Sequence, residues 1–274
     1  MYPELIDMHA HLSAYGQAEV DSRIKQKIYT FFSAGCPAEA EALLALRQEG
    51  FAMTAGVHPW NTDQISLAAM RPYMEQACFI GEIGMDDVWC DVDLRVQRRA
   101  FAAQLDYAAQ AQKPIVLHTK NQERAILEMV RDFPEPILVH WYSGDRDTLE
   151  EYAALGCYFT IGPDMALAVD AIPADRLFVE TDGLESLPWA RRQRVKASRA
   201  AGAEPLDPEK DPELFREALP EEIGPVLRTG IAWAARQKGL PADTFTAQLL
   251  ENARAFAASS QLLENARVFT GDSV

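Results

Sequence analysis

Ile115-Val116-Leu117-His118 and Ile137-Leu138-Val139-His140 are two short apolar runs, each closed by a histidine, with the amphipathic stretch 121–131 between them. Runs this apolar suit strands buried on both faces, and a strand, a helix and a strand make the unit of a parallel sheet. The alternation extends outward in both directions. Candidate strands recur at 4–8, 28–32, 51–55, 79–83, 115–118, 137–140, 157–161 and 177–180. The stretch 38–48 is Ala/Leu/Glu-rich, lies behind Pro37 and stops before Gly50, the order expected of a helix. A longer helix of the same kind is predicted at 93–112; another opens at Asn121 as its cap, and another at Asp145, ending at Gly156. Eight parallel strands predict an α/β protein, a closed (β/α)8 TIM barrel.

The chain has 274 residues, an ordinary length for one such barrel, so 1–274 reads as a single domain. Hydrophobic residues make up 48%, which excludes disordered and fibrous classes. Lysine and arginine total 26 against 41 acids, a net charge of −15. Such a surface repels polyanions and anionic lipid, so a nucleic-acid substrate would need a local basic site or metals. No apolar run reaches the ~18 residues of a membrane helix. The opening residues carry Glu4, Asp7 and two histidines where a signal peptide would be apolar, so a cytoplasmic protein is expected. Four cysteines, Cys36, Cys78, Cys90 and Cys157, lack C-x-x-C spacing and read as reduced, buried small residues. Nothing in the sequence calls for an obligate protein partner.

After Asp182 the pattern changes. Arg191, Arg192, Arg194, Lys196 and Arg199 crowd one segment, followed by Pro205, Pro208 and Pro212, and 184–215 reads as an inserted loop or short helix. C-terminal helices are expected over 216–274. There Leu249-Leu250-Glu251-Asn252-Ala253-Arg254 reappears 13 residues later, from Leu262 to Arg267. On one straight helix the copies would point ~140° apart, so a break is expected near Ser259-Ser260, with one copy packing on the barrel.

All five histidines fall in or just after predicted strands. In Asp7-Met8-His9-Ala10-His11 the two rings are two residues apart, so on an extended chain they leave one face and can converge on one ion. Gly81-Glu82-Ile83-Gly84-Met85-Asp86, Leu117-His118, Val139-His140 and Glu180-Thr181-Asp182 also close strands. In a (β/α)8 barrel those ends meet at one mouth, so four imidazoles and two carboxylates would gather there. A nitrogen and oxygen set without thiolates suits Zn, Mn, Fe or Mg. Six ligands exceed one tetrahedral ion with an open position, so the count argues for two metals sharing a bridging carboxylate, and hence for hydrolysis.

With Gly56-Val57-His58-Pro59-Trp60 and His140-Trp141-Tyr142-Ser143-Gly144 added, these motifs appear in an order that resembles the TatD family of metal-dependent hydrolases, within the amidohydrolase superfamily of (β/α)8 barrels. The resemblance covers about 4–185 and returns in the final helices. It implies two divalent metal ions (Mg, Mn or Zn) held by His9, His11, Glu82, His118, His140 and Asp182. Glu82 would bridge them and Asp182 would serve as base or proton shuttle. It implies in-line attack of a metal-activated water on a phosphodiester, as in a TatD-like deoxyribonuclease working from a 3′ end. His58 is expected to bind a substrate phosphate rather than metal. Lys120 stands where the family often has Arg, a point charge in place of a planar fork. Asp87 replaces a usual aromatic residue, Gly183 follows Asp182 where a small residue and Pro are common, and the family's Arg-Gly-x-x-Asn-x-Pro segment is missing, with the basic insert in its place.

Several residues carry two readings. Trp60, Trp141 and Tyr142 either stack on a base or wall the pocket. Asp86 either orients a ligand or belongs to a turn. The cluster from Arg191 to Arg199 is either a phosphate clamp or a solvated face paired with Glu204, Asp207 and Glu209, the commoner fate of a charge run. The substrate has alternatives too. A metal hydroxide attacks a carbonyl as readily as phosphorus, so a carboxylic ester, lactone or amide hydrolase such as an aminoacyl-tRNA deacylase competes with the nuclease. His58 and Lys120 favour DNA; the net charge and the missing Arg favour a small phosphodiester or ester. A metal-retaining scaffold without turnover is a third reading, and the full ligand set counts against it.

Overall fold

The computed structural model describes residues 3–46, 50–199 and 205–258. Eight strands, β1 (Leu5–Ala10), β2 (Ile28–Ala34), β3 (Phe51–Ala55), β4 (Phe79–Asp86), β5 (Ile115–Lys120), β6 (Ile137–Val139), β7 (Tyr158–Ile161) and β8 (Leu177–Val179), pair in sequence order. Every pairing is parallel. Helices α1 (Gln17–Lys25), α2 (Pro37–Ala45), α3 (Leu67–Gln76), α4 (Leu94–Ala111), α5 (Glu123–Val130) and α6 (Arg146–Ala154) each return the chain to the next strand. Between β7 and β8 the described chain makes only short 3-10 turns. After β8 come α7 (Leu187–Ser198), α8 (Pro212–Phe215), α9 (Ile223–Lys238) and α10 (Ala242–Ala258). The expected (β/α)8 barrel is therefore present, one inter-strand helix short.

Alternate strand residues face opposite sides, and the two sides form separate cores. Inside, Met8, Phe31, Phe79, Val116, Leu138, Tyr158 and Phe178 pack together, and Phe256 of α10 joins them. The Phe256 ring meets Phe79 at 4.9 Å and Tyr158 at 5.1 Å, edge to face, so α10 plugs the end of the barrel where the strands begin. Outside, the other strand faces pack on the helices.

The seam between β8 and β1 is made by one side chain as well as backbone. The Asp7 carboxylate accepts the Thr181 N–H at 2.8 Å and the Thr181 hydroxyl at 2.6 Å, while Asp182 N–H donates to the His9 carbonyl at 3.0 Å. Arg23, itself fully buried, donates to Asp7 at 2.6 Å and to Glu19 at 2.9 Å. Glu19 in turn takes the Ser13 N–H at 3.0 Å, which ties down the loop behind His11.

Two expectations need correction, and two open readings are resolved. Asn121 is not a cap: it adopts φ +56, its amide reaches Asp87, and α5 starts two residues later, after Gln122. Of the two readings of 184–215, loop or short helix, the described residues include helix α7 over 187–198. Cys78 and Cys157 are buried as expected, but Cys36 and Cys90 are partly exposed. The first copy of the repeat packs on the barrel, with the Asn252 amide donating to Ala174 O at 2.9 Å and Leu177 O at 2.8 Å. Its second copy and the break near 259–260 lie outside the described residues.

Candidate metal centre and active site

The strand ends opposite α10 carry the polar side chains. Glu82 is 1% exposed and all five histidines reach it. Its Oε2 lies 3.3 Å from His9 Nε2 and 3.2 Å from His11 Nε2. Its Oε1 contacts His118 Nδ1, lies 2.6 Å from His140 Nε2 and 3.6 Å from His58 Nε2. Asp182 Oδ1 approaches His9 Nε2 at 3.4 Å and His11 Nε2 at 3.7 Å. All six expected ligand residues are thus brought to one place.

Local backbone explains the convergence. A register shift in β1 between Asp7 and Ala10 turns His9 inward while Asp7 goes to the seam. Gly84 has φ +147, and a Cβ there would stand 2.0 Å from the His118 carbonyl, so only glycine lets β4 run this close to β5. Asp182 sits at φ +58 and Gly183 at φ +86, where a Cβ would stand 2.7 Å from His11 O. The left-handed pair after β8 aims the Asp182 carboxylate back over β1.

Electrostatically the centre is a buried carboxylate among imidazoles. Burial opposes charge on His9, His11 and His140, but the Glu82 carboxylate outweighs it, so all three rings are pushed above the ordinary imidazole value, His140 to about 9. Burial likewise opposes ionisation of Glu82, and the surrounding rings, His140 foremost, hold it well below the carboxylate range. His58 goes the other way: burial lowers it and keeps the ring neutral. Its Nδ1 accepts the Trp60 N–H at 3.2 Å, so the proton sits on Nε2, which makes that atom a donor.

Groups able to hold a divalent metal follow from this geometry. His9 with His140 and Asp182, His9 with His11 and Glu82, and His58 with Glu82 and His118 each place their ligand atoms within 4.8 Å of one another. Both ring nitrogens of His9 and of His140 are buried without an aligned hydrogen-bond partner, as are both oxygens of Glu180. Buried polar atoms left orphaned in this number fit a site built around cations. His58 stands in the third group although the sequence points it to a substrate phosphate; with Nδ1 accepting the Trp60 N–H, Nε2 is the atom that faces Glu82.

Asp86 settles between its two readings by doing both. Its Oδ2 meets His118 Nε2 at 2.9 Å and accepts the Trp60 indole N–H at 2.7 Å, while Oδ1 accepts the N–H groups of Val88 at 2.8 Å and Trp89 at 2.9 Å. Burial opposes its charge, yet these donors, His118 first, hold it well below the usual carboxylate range. Lys120 is nearly buried in the cavity wall, its ammonium donating to the Trp141 carbonyl at 2.6 Å. Trp60 and Trp141 line the cavity, about 640 Å³ in volume, which also contains Glu82 and Asp182. Tyr142 does not stack on anything outside: it is buried and its hydroxyl donates to Asp145 O at 2.7 Å.

Three of the five basic residues are engaged within the protein. Arg191 pairs with Glu222, Arg192 lies 4.9 Å over the Phe215 ring, and Arg199 lies 3.7 Å from Asp211. Among the described residues the acids paired with the cluster are Glu222 and Asp211, and Glu204 lies outside the described residues. Two residues escaped the sequence reading altogether. Gln97 of α4 brackets Asp86, donating to its carbonyl at 3.0 Å and accepting its N–H at 2.8 Å; Gln104 brackets Val57 in the same way, at 3.1 and 2.6 Å. Two glutamines seven apart on an otherwise apolar helix face were the available signal. Glu180, fully buried 3.4 Å from His140 Nδ1, was visible only as part of a motif.

The chain is similar to known proteins along most of its length. The family described as "TatD related DNase" matches residues 6–256. The 3'-5' ssDNA/RNA exonuclease TatD of Edwardsiella piscicida is 31% identical over 165 residues, covering 53% of this chain and 63% of that protein. The protein of the same name from Pantoea vagans is 33% identical over 174 residues, covering 57% and 67%. The matched region thus spans about two thirds of the length of these relatives. A TatD homologue of Escherichia coli K12 superposes with a TM-score of 0.71 at 21% identity, covering 93% of this chain and 98% of that one. A TatD family hydrolase of Entamoeba histolytica gives 0.71 at 13% identity, with the same coverage. With a family match from the second residue of β1 into α10, this chain belongs to the TatD-related DNase family.

Proposed function

We propose that this chain is a divalent-metal-dependent phosphodiesterase that shortens single-stranded DNA or RNA from the 3′ end. The observation that carries the reading is the buried Glu82 ringed by His9, His11, His118 and His140 beside the part-exposed Asp182, in a chain of this family. Two ions, Mg, Mn or Zn, would be held by these six residues with Glu82 between them. Such ions supply a water acidic enough to attack near neutral pH and neutralise charge on the phosphoryl oxygens.

The chain's own residues do the rest. Asp182, 22% exposed at its side chain, has its carboxylate at the rim where it can take the proton of an attacking water. Its pKa is lowered: burial opposes ionisation, but the histidines around it, His9 foremost, keep it deprotonated. His58 donates its Nε2–H to a non-bridging phosphate oxygen, a role its neutral ring and protonated Nε2 support. Lys120 adds positive charge to the same wall. An anionic phosphodiester suits these two donors better than a neutral carboxylic ester does. The partner is therefore the nucleic-acid strand. Four unpaired cysteines support a cytoplasmic location, and we treat 1–274 as one functional unit.

The test is an end-labelled single strand incubated with Mn2+ or with EDTA, beside a carboxylic ester under the same conditions. Stepwise loss from the 3′ end, abolished by EDTA and by Asp182→Ala, is the expected result. Ester cleavage with the strand intact would overturn the nuclease reading.

A further inference from the structure

Four of the five tryptophans stand at the mouth of the barrel. Trp189 of α7 meets Trp89 edge to face at 6.2 Å and Trp141 at 5.5 Å, so the three rings form one continuous wall. The Lys120 ammonium lies between two of them, 5.9 Å from the Trp89 ring and 5.8 Å from the Trp141 ring. Packing does not account for the outer part of this wall. Trp89 is 55% exposed and Trp60, across the loop, 47%. Exposed apolar surface gathered beside a polar cavity marks a ligand-binding face. Both are held in place: the Asp86 carboxylate takes the Trp60 indole N–H and the Trp89 backbone N–H. The same carboxylate faces His118, so the position of the aromatic rim is tied to that of the metal centre. A rigid, exposed aromatic surface with a cation set into it matches one chemistry well, a flexible strand offering unstacked bases and phosphates in alternation.

We propose that Trp89, backed by Trp189 and Trp141, is a base-stacking subsite that receives a nucleobase of the strand whose backbone lies at the metal centre, with Lys120 facing the intervening phosphate. This rests on the nuclease reading and deepens it. The subsite selects single strands, because a paired end keeps its base faces stacked, and it tolerates any base, because every base has a π face.

The experiment compares binding of a short thymidine oligonucleotide with that of an abasic oligonucleotide of equal length. It is read by fluorescence anisotropy with Mn2+ present, on an Asp182→Ala background so that the strand is not consumed. Stacking predicts a preference for the base-bearing strand of about ten-fold or more. Trp89→Ala should lose most of that ratio, and Trp89→Phe should keep part of it. Because Trp89 is exposed, neither change should disturb the fold, which thermal unfolding checks. A ratio near one in the parent protein, or a ratio unchanged by Trp89→Ala, overturns the subsite. If Asp182-containing protein shortens the strand while the ratio is near one, the subsite fails and the nuclease reading stands. If it shortens no strand while the ratio is present and depends on Trp89, the nuclease reading fails alone.

Discussion

The two ends of this barrel solve opposite problems. At the end where the strands begin, Phe79, Tyr158 and Phe178 close around Phe256, and apolar surface meets apolar surface. At the other end, five imidazoles crowd one buried carboxylate, and ring nitrogens of His9 and His140 are left without aligned partners. The first arrangement is what burial alone favours; the second is unfavourable unless cations complete it. The difference teaches where this molecule keeps its stability and where it gives some up for chemistry, as in other barrels of this type.

The sharpest way to test that division is to break each end separately. Asp182→Ala should lower strand hydrolysis by about 10²–10⁴-fold, the range for a lost general base, with little change in Tm. Retention of most of the activity would remove Asp182 from the mechanism. Phe256→Ala should do the converse, costing about 3–5 kcal/mol of stability in denaturant unfolding while the folded fraction keeps its activity. If activity per folded molecule falls as steeply as stability, the two ends are not independent.

Metal should move the polar end alone. Saturating Mn2+ is expected to raise Tm by on the order of 5 °C, since a ligand at 100 times its Kd contributes about 2.7 kcal/mol. Glu82→Ala should abolish that rise, and Phe256→Ala should leave it intact. Gln104→Ala leaves the Val57 N–H and carbonyl without their partner, a loss of about 1–3 kcal/mol. Because Val57 precedes His58, hydrolysis should weaken along with stability, making this the variant that blurs the contrast.

The smallest effect concerns α7. Glu222 accepts from Arg191, Arg216 and the Leu219 N–H. Burial pushes its pKa up, but these partners, Arg216 first, outweigh it and hold it below the unfolded value of 4.5. A depressed folded pKa means stability that is present above 4.5 and lost as pH falls through the lowered value. Acid should therefore loosen the docking of α7 by under about 1 kcal/mol, the range for an exposed pair. Trp189 fluorescence would report it, and Glu222→Gln should remove that part of the pH dependence.

Much of the site was legible because its signals are local. The two-residue spacing of His9 and His11 pointed to one shared site, although a register shift in β1 is what brings both rings to Glu82, and His118 and His140 mark strand ends by closing apolar runs. Asp145 as a cap needed only its own helix, and its carboxylate does accept the Thr148 N–H at 2.8 Å. Where a local rule failed, a distant group had intervened. Asn121 met Asp87 across the mouth rather than capping α5, and Arg191 paired with Glu222 in place of the nearer acids.

The sequence by itself determined the parallel barrel, the convergence of six candidate ligands and the family, since each depends on period, order and the chemistry of side chains close along the chain. Only the tertiary structure decided that Asp7 closes the seam by holding Thr181, that Asp86 joins His118 to the tryptophan rim, and that α10 plugs the far end. The reason is physical. Hydrogen-bond partners and ring contacts are chosen by distance in space, and Asp7 and Thr181 are 174 residues apart along the chain.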